Sequence, residues 1–184
     1  MIPDPKPLDP RERIAYEPRD RERLALDRLD ALGIAYTLHR HPPLRTVEDA
    51  KALRGNIDAA HVKNLFLRDK REQMWVVTVL EDREVDIRAL RPRIDAYGSV
   101  SFGSPDRLGR VLGITPGSVS PLAIVHDPEK RVRVVLDEAL RDWSHVGVHP
   151  LHNEATVRLS VLDLGRFLTA EGRDPIWLPF ARAS

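Results

Sequence analysis

The chain has 184 residues, 42% of them hydrophobic and 31% charged, with a formal net charge of +1 and no cysteine. That length suffices for one domain with a buried core, and the missing cysteines remove disulfides, thiolate nucleophiles and cysteine zinc sites from consideration. The small net charge argues against bulk, sequence-independent binding to nucleic acid, which needs a strong basic field, while leaving room for a local basic patch.

Residues 1–19 are proline-rich and charged, with few large apolar groups, so a flexible tail outside the core is expected there, and a folded domain over 20–184. No run approaches the roughly 18 apolar residues of a membrane helix and the N-terminus has no apolar signal core, so a cytoplasmic protein without membrane contact is expected. Leu24, Leu26, Leu29 and Leu32 recur at helical spacing over 20–32, and Gly33 is a natural stop. Residues 34–39 read as a short strand. After Pro42 and Pro43, Thr46-Val-Glu-Asp49 has the form of a capping box opening a helix to about Leu53. Residues 62–68 and 74–80 read as strands joined in a hairpin by the polar turn 69–73.

Asp86 can cap a short helix ending near Leu90. Ser104-Pro105 places a capping hydroxyl and a first-turn proline at the start of a second, which ends near Gly113. A loop with glycine between prolines, 115–121, precedes residues 122–126 and 131–136, which read as a second hairpin. A short helix over 137–142, strands over 146–149 and 156–160, and a helix over 161–171 complete the chain. No internal repeat appears. Hairpins with interspersed helices predict an α+β, mixed α/β single domain with a mixed, largely antiparallel twisted sheet flanked by helices. No strand runs into a glycine-rich turn opening a helix, which argues against a dinucleotide-binding fold.

The chain contains no P-loop, nucleophile elbow or HExxH motif. His39 and His41, or His149 and His152, are spaced so that either pair can touch a metal, but neither has an evident set of further ligands; no metal or cofactor is expected. Three segments carry the chemistry that remains. The first is Lys63, which alternation places on the same apolar strand face as Leu65 and Leu67. A lysine there is either a desolvated functional group or, on an edge strand, a solvated charge that blocks aggregation. The second is the loop Gly117, Ser118, Val119, Ser120, Pro121. Its N–H groups can converge on an anionic oxygen, as acyl-transfer chemistry requires, or simply close a surface turn. The third is His149, at a strand end before Pro150, which is either a substrate ligand or a structural histidine.

Together these segments resemble the free-standing trans-editing deacylases related to the editing domain inserted in bacterial prolyl-tRNA synthetase, the YbaK/synthetase-associated domain family. The similarity is greatest to its ProXp-ala (PrdX) branch, which removes alanine from mischarged tRNA(Pro). LGIAYTLHRHPP at 32–43, TVEDA at 46–50, HVKNLFLRDK at 61–70, VDIRAL at 85–90, SFGSPDRL at 101–108, LGITPGSVSP at 112–121, VVLDEAL at 134–140 and HPLHNEAT at 149–156 match in order. The resemblance implies that Lys63 is essential for deacylation and that the loop from Gly117 to Pro121 positions the ester-linked end of the tRNA. It further implies that His149 lines the aminoacyl pocket, with Asn64 and Thr46 nearby. Val148 departs from the larger apolar residue expected before that histidine, and a smaller side chain there would widen the pocket. The implied partners are the acceptor end of mischarged tRNA(Pro) and prolyl-tRNA synthetase. Arg45, Lys51, Arg54, Lys70 and Arg71 are available as a basic rim for phosphates.

Overall fold

The computed structural model describes residues 18–44, 48–49, 52 and 56–184. Helix α1 (Pro18–Ala31) leads into strand β1 (Tyr36–Arg40) through Gly33, whose φ of +64° lets the chain leave the helix. The long strand β2 (Ala60–Arg68) turns back on β3 (Met74–Leu80). A short α2 (Ile87–Leu90) and a 3-10 turn follow, then the two-residue β4 (Ser101–Phe102) and α3 (Pro105–Leu112). The chain continues through a 3-10 helix at Pro121–His126, β5 (Val132–Asp137), another 3-10 turn, β6 (His145–Val148), β7 (Ala155–Ser160), α4 (Val161–Ala170) and β8 (Ile176–Leu178).

The strands form a mixed sheet in the order β1-β7-β6-β2-β3-β5-β8, with β4 adding to β2. The β1–β7, β6–β7, β2–β3 and β2–β4 pairs are antiparallel, and the β2–β6, β3–β5 and β5–β8 pairs are parallel. Alternation along β2 and β3 divides the core. Ala60, Phe66, Met74, Val76 and Leu80 join the larger cluster, with residues of α1, α3 and α4. Leu67, Trp75, Val77 and Val79 join a smaller one on the other face, with Leu90 and Ile94.

Starts and stops follow from local bonds. Asp86 accepts from the Arg88 and Ala89 N–H groups, Ser104 from Arg107, and Ser160 from Asp163, each relieving helix donors that have no partner inside the helix. Gly113, at φ +64°, ends α3. One expected hairpin is absent: residues 121–126 are a buried 3-10 helix and β5 pairs in parallel with β3. Pro121 sits at the start of this helix and the Ser120 hydroxyl accepts from the Leu122 N–H at 3.2 Å. A short run that is apolar on every side has no period to distinguish strand from helix. Two strands, β4 and β8, had no sequence signal of their own. In the segment expected to form a helix after Pro43, Glu48, Asp49 and Ala52 are helical, while Thr46 and Leu53 lie outside the described residues. No helix among the described residues is long and apolar enough to cross a membrane.

Candidate functional site

Lys63 pairs with Val79 in the β2–β3 ladder, on the face of the smaller cluster, beside Leu65 and Leu67 in the alternation. It is half-buried, and its Nζ donates to the Arg83 carbonyl. That carbonyl is held in turn: the Arg83 Nε donates to Asp137 Oδ2 at 3.0 Å, with both side chains nearly excluded from water. Asp137 also caps the following turn through the Ala139 N–H and accepts from the Leu80 N–H. The ammonium therefore rests on a backbone oxygen fixed by a buried ion pair, an arrangement that locks its direction.

Asn64 points to the opposite face. It pairs with Thr78, whose hydroxyl donates to Asn64 Oδ1 at 2.7 Å. Lys63 and Asn64 thus straddle the sheet. The edge of β2 beside them is partly open: β6 occupies Ala60 and His61, and β4 occupies Leu67 and Arg68. The His61 carbonyl is bonded on the β3 side by the Glu81 N–H, and the Phe66 carbonyl on the other side by the Gly103 N–H. Alternation between those two points turns the Asn64 peptide groups toward the edge that lacks a strand partner among the described residues.

Thr115-Pro116-Gly117-Ser118 is a tight turn with proline at its second position and glycine, at φ +86°, at its third. The Ser118 N–H closes it on the Thr115 carbonyl at 3.1 Å. These are the features of a type II turn, which requires a positive φ at that position. Nothing lies within 4 Å of a Cβ built on Gly117, so its φ is the reason for glycine. Ser118 and Ser120 are buried, Val119 packs against the larger cluster, and Pro121 opens the 3-10 helix. Among the described residues, the N–H groups of Gly117, Val119 and Ser120 donate to nothing in the chain. A row of unoccupied backbone donors on an ordered turn is the equipment for holding a developing oxyanion.

His149 follows β6 directly. Its Nδ1 faces the Ala155 carbonyl at 3.4 Å, which makes Nδ1 the protonated nitrogen of the neutral ring and Nε2 the accepting one. Burial is the main reason its pKa lies below the ordinary 6.5, and the neighbouring His41 and His152 lower it further. Val148 is 2% exposed and belongs to the larger cluster, so it forms core under this histidine. Asn64, Val119 and Val148 therefore share one side of the sheet, and the Lys63 side chain leaves from the other.

Lys70 and Arg71 lie exposed at the β2–β3 turn, where the Arg71 guanidinium stacks 3.6 Å from the centre of the Tyr97 ring. Arg45, Lys51, Arg54 and Thr46 lie outside the described residues. No group of three or more histidine or acidic residues among those described is arranged to hold a metal ion.

Residues 41–167 match the aminoacyl-tRNA editing domain. The chain belongs to that family. It is 40% identical over 155 residues to the prolyl-tRNA editing protein ProX of Acetoanaerobium sticklandii, covering 83% of this chain and 93% of the relative. It is 36% identical over 157 residues to the mouse prolyl-tRNA synthetase associated domain-containing protein 1, covering 83% and 92%. Its fold is similar to that of a crystal structure described as a candidate trans-editing enzyme for prolyl tRNA synthetase. That TM-score is 0.70 at 18% identity, covering 92% of this chain and 100% of the other. As an editing domain, the chain shows supports that its sequence did not single out: Arg83, Asp137 and Thr78. Arg83 sits in an ordinary charged turn, Thr78 reads as a plain strand residue, and Asp137 as the first residue of a short helix. Only the ladder and the fold beside it bring them to Lys63 and Asn64.

Proposed function

We propose that this chain is a trans-editing aminoacyl-tRNA deacylase that hydrolyses the ester of mischarged tRNA(Pro), with alanine as the amino acid removed. The observation that carries the reading is the turn at Gly117, whose unoccupied N–H groups follow a glycine held at positive φ. Membership of the editing-domain family and the relatives named for prolyl-tRNA editing support it.

In this reading a water oxygen attacks the ester carbonyl carbon, and its proton passes through a ribose hydroxyl of the terminal adenosine. The tetrahedral oxyanion takes hydrogen bonds from the loop N–H groups. The carbon–oxygen bond to the ribose then breaks, the ribose oxygen takes the proton, and alanine and tRNA leave. With no cysteine and no serine elbow, no covalent acyl-enzyme is invoked. Lys63, steadied on the Arg83 carbonyl, supplies a fixed positive charge for the terminal phosphate or the ribose. His149 contributes a neutral Nε2 acceptor to the aminoacyl pocket. The deacylase domain begins with α1 at Pro18 and takes in the rest of the chain, and the protein works in the cytoplasm beside prolyl-tRNA synthetase.

The need for such an enzyme is physical. A synthetase pocket built for proline gains only about 1–3 kcal/mol of discrimination against a ligand smaller by a methylene or so. A second pocket that admits alanine and excludes proline by size removes the error. The test is incubation of the purified protein with Ala-, Cys-, Ser- and Pro-tRNA(Pro), with and without a chelator. Loss of alanine alone, unchanged by chelator, is expected. Loss of several amino acids keeps the enzyme and overturns the alanine assignment. Intact esters with tRNA bound would replace the deacylase by a binding module.

A further inference from the structure

The helical spacing of leucines over 20–32 brings Leu26, Leu29 and Leu32 to the core but says nothing of the charged residues buried beside them. Leu24 is 40% exposed, whereas Glu22 is 5% exposed, and Arg21, Ala25 and Leu29 are buried with it. A carboxylate is rarely placed in a core without partners that hold it there. Glu22 has them. Arg40, at the end of β1, clasps both carboxylate oxygens at 2.7 and 3.0 Å. His152, 3% exposed, donates from Nε2 to Glu22 Oε2 at 2.9 Å. The other ring nitrogen of His152 accepts from the Glu154 N–H at 3.0 Å, so both nitrogens are committed and the tautomer is set. Burial alone would raise the Glu22 pKa, but its bonds to Arg40 and His152 hold it below the ordinary value.

The partner of Glu22 sits in the loop that carries His149. That loop joins β6 to β7 within a few residues and forces Leu151 to φ +68°, a left-handed conformation that a branched side chain adopts only under constraint. Leu151 is fully buried, and the Glu154 carbonyl is bonded by the His41 N–H at 3.1 Å. The bond that orients His149 reaches the Ala155 carbonyl at 3.4 Å, at the long limit of a hydrogen bond. A shift of a few tenths of an ångström in this loop breaks it. The loop needs an external brace, and the brace comes from α1, outside the matched segment 41–167.

We propose that Glu22 is a positioning residue for His149, acting through His152 to hold the strained 149–155 loop and the Nδ1-protonated tautomer of the His149 ring. Its activity arm rests on the deacylase reading; its spectroscopic arm does not. The test compares Glu22→Ala and the isosteric Glu22→Gln with wild type in steady-state hydrolysis of Ala-tRNA(Pro) and in the imidazole NMR signals of His149. Glu171→Gln is the control, since it unties Arg28 of the same helix without touching the loop.

The expected result for Glu22→Ala is a kcat lower by about tenfold with KM changed less than about threefold, because the binding surface stays and the aim is lost. The His149 signals change from one tautomer to a mixture, and Glu22→Gln shows the same change more weakly. The control leaves both readouts at wild type. A folded Glu22→Gln with wild-type kcat and unmoved His149 signals overturns the proposal, and Glu22→Gln decides if Glu22→Ala does not fold. If the wild-type protein hydrolyses no aminoacyl-tRNA, the deacylase reading fails by itself. The His149 signals then decide: a change in the Glu22 variants supports the brace, and no change overturns it.

Discussion

The two loops of the candidate site are held in opposite ways. The loop from Gly117 to Pro121 is built from its own neighbours: a proline, a positive-φ glycine, a turn bond from Ser118 to Thr115 and a hydroxyl cap from Ser120 to Leu122. The loop from His149 to Glu154 is held by residues far along the chain, Glu22 of α1 foremost. The first loop has no titratable side chain. The second is surrounded by them. A local device is set once its few residues fold, whereas a remote brace depends on the whole domain and on the charge state of its parts.

Lys63 belongs to neither loop and tests what they share. Lys63→Ala should slow single-turnover hydrolysis of Ala-tRNA(Pro) by about 100-fold, the usual cost of misplacing the substrate at the reacting centre. Thermal stability should change little, because the ion pair of Arg83 with Asp137 stays in place. A wild-type rate would mean that the loops act without the strand. Gly117→Ala should break the local loop alone. Holding a residue with a Cβ at φ +86° costs about 1–2 kcal/mol, read as a lower melting temperature together with slower hydrolysis. Wild-type behaviour would show that the positive φ is dispensable.

Acid should separate the loops most gently. His149 and His152 both have folded pKa values below the ordinary 6.5, each chiefly through burial. As pH falls through 6.5 the unfolded chain takes up those protons first, so stability declines toward the folded values. Glu22, also held below its ordinary value, adds a further loss at lower pH. Denaturant midpoints should therefore fall from pH 7 to pH 5 in the wild type and fall less in His152→Phe. Equal slopes would remove His152 from the acid response.

Features that depend on neighbours within a few residues were legible in the sequence. The caps at Asp86 and Ser104, the stop at Gly113, the hairpin from β2 to β3 and the glycine turn all stand as read, because each rests on a hydrogen bond or dihedral that nearby residue types dictate. The order of motifs singled out Lys63, the Gly117 loop and His149 as the candidate site residues. Tertiary structure alone decided the helical form of 121–126, the parallel partner of β5, the addition of β8 and the placing of Asn64 across the sheet from Lys63. It also decided that α1 turns Glu22 inward and leaves Leu24 in water. The physical reason is common to these cases. Local pattern sets which conformations a segment can adopt, but the face it buries is set by what waits opposite. For α1 that was an arginine and a histidine able to satisfy a buried carboxylate.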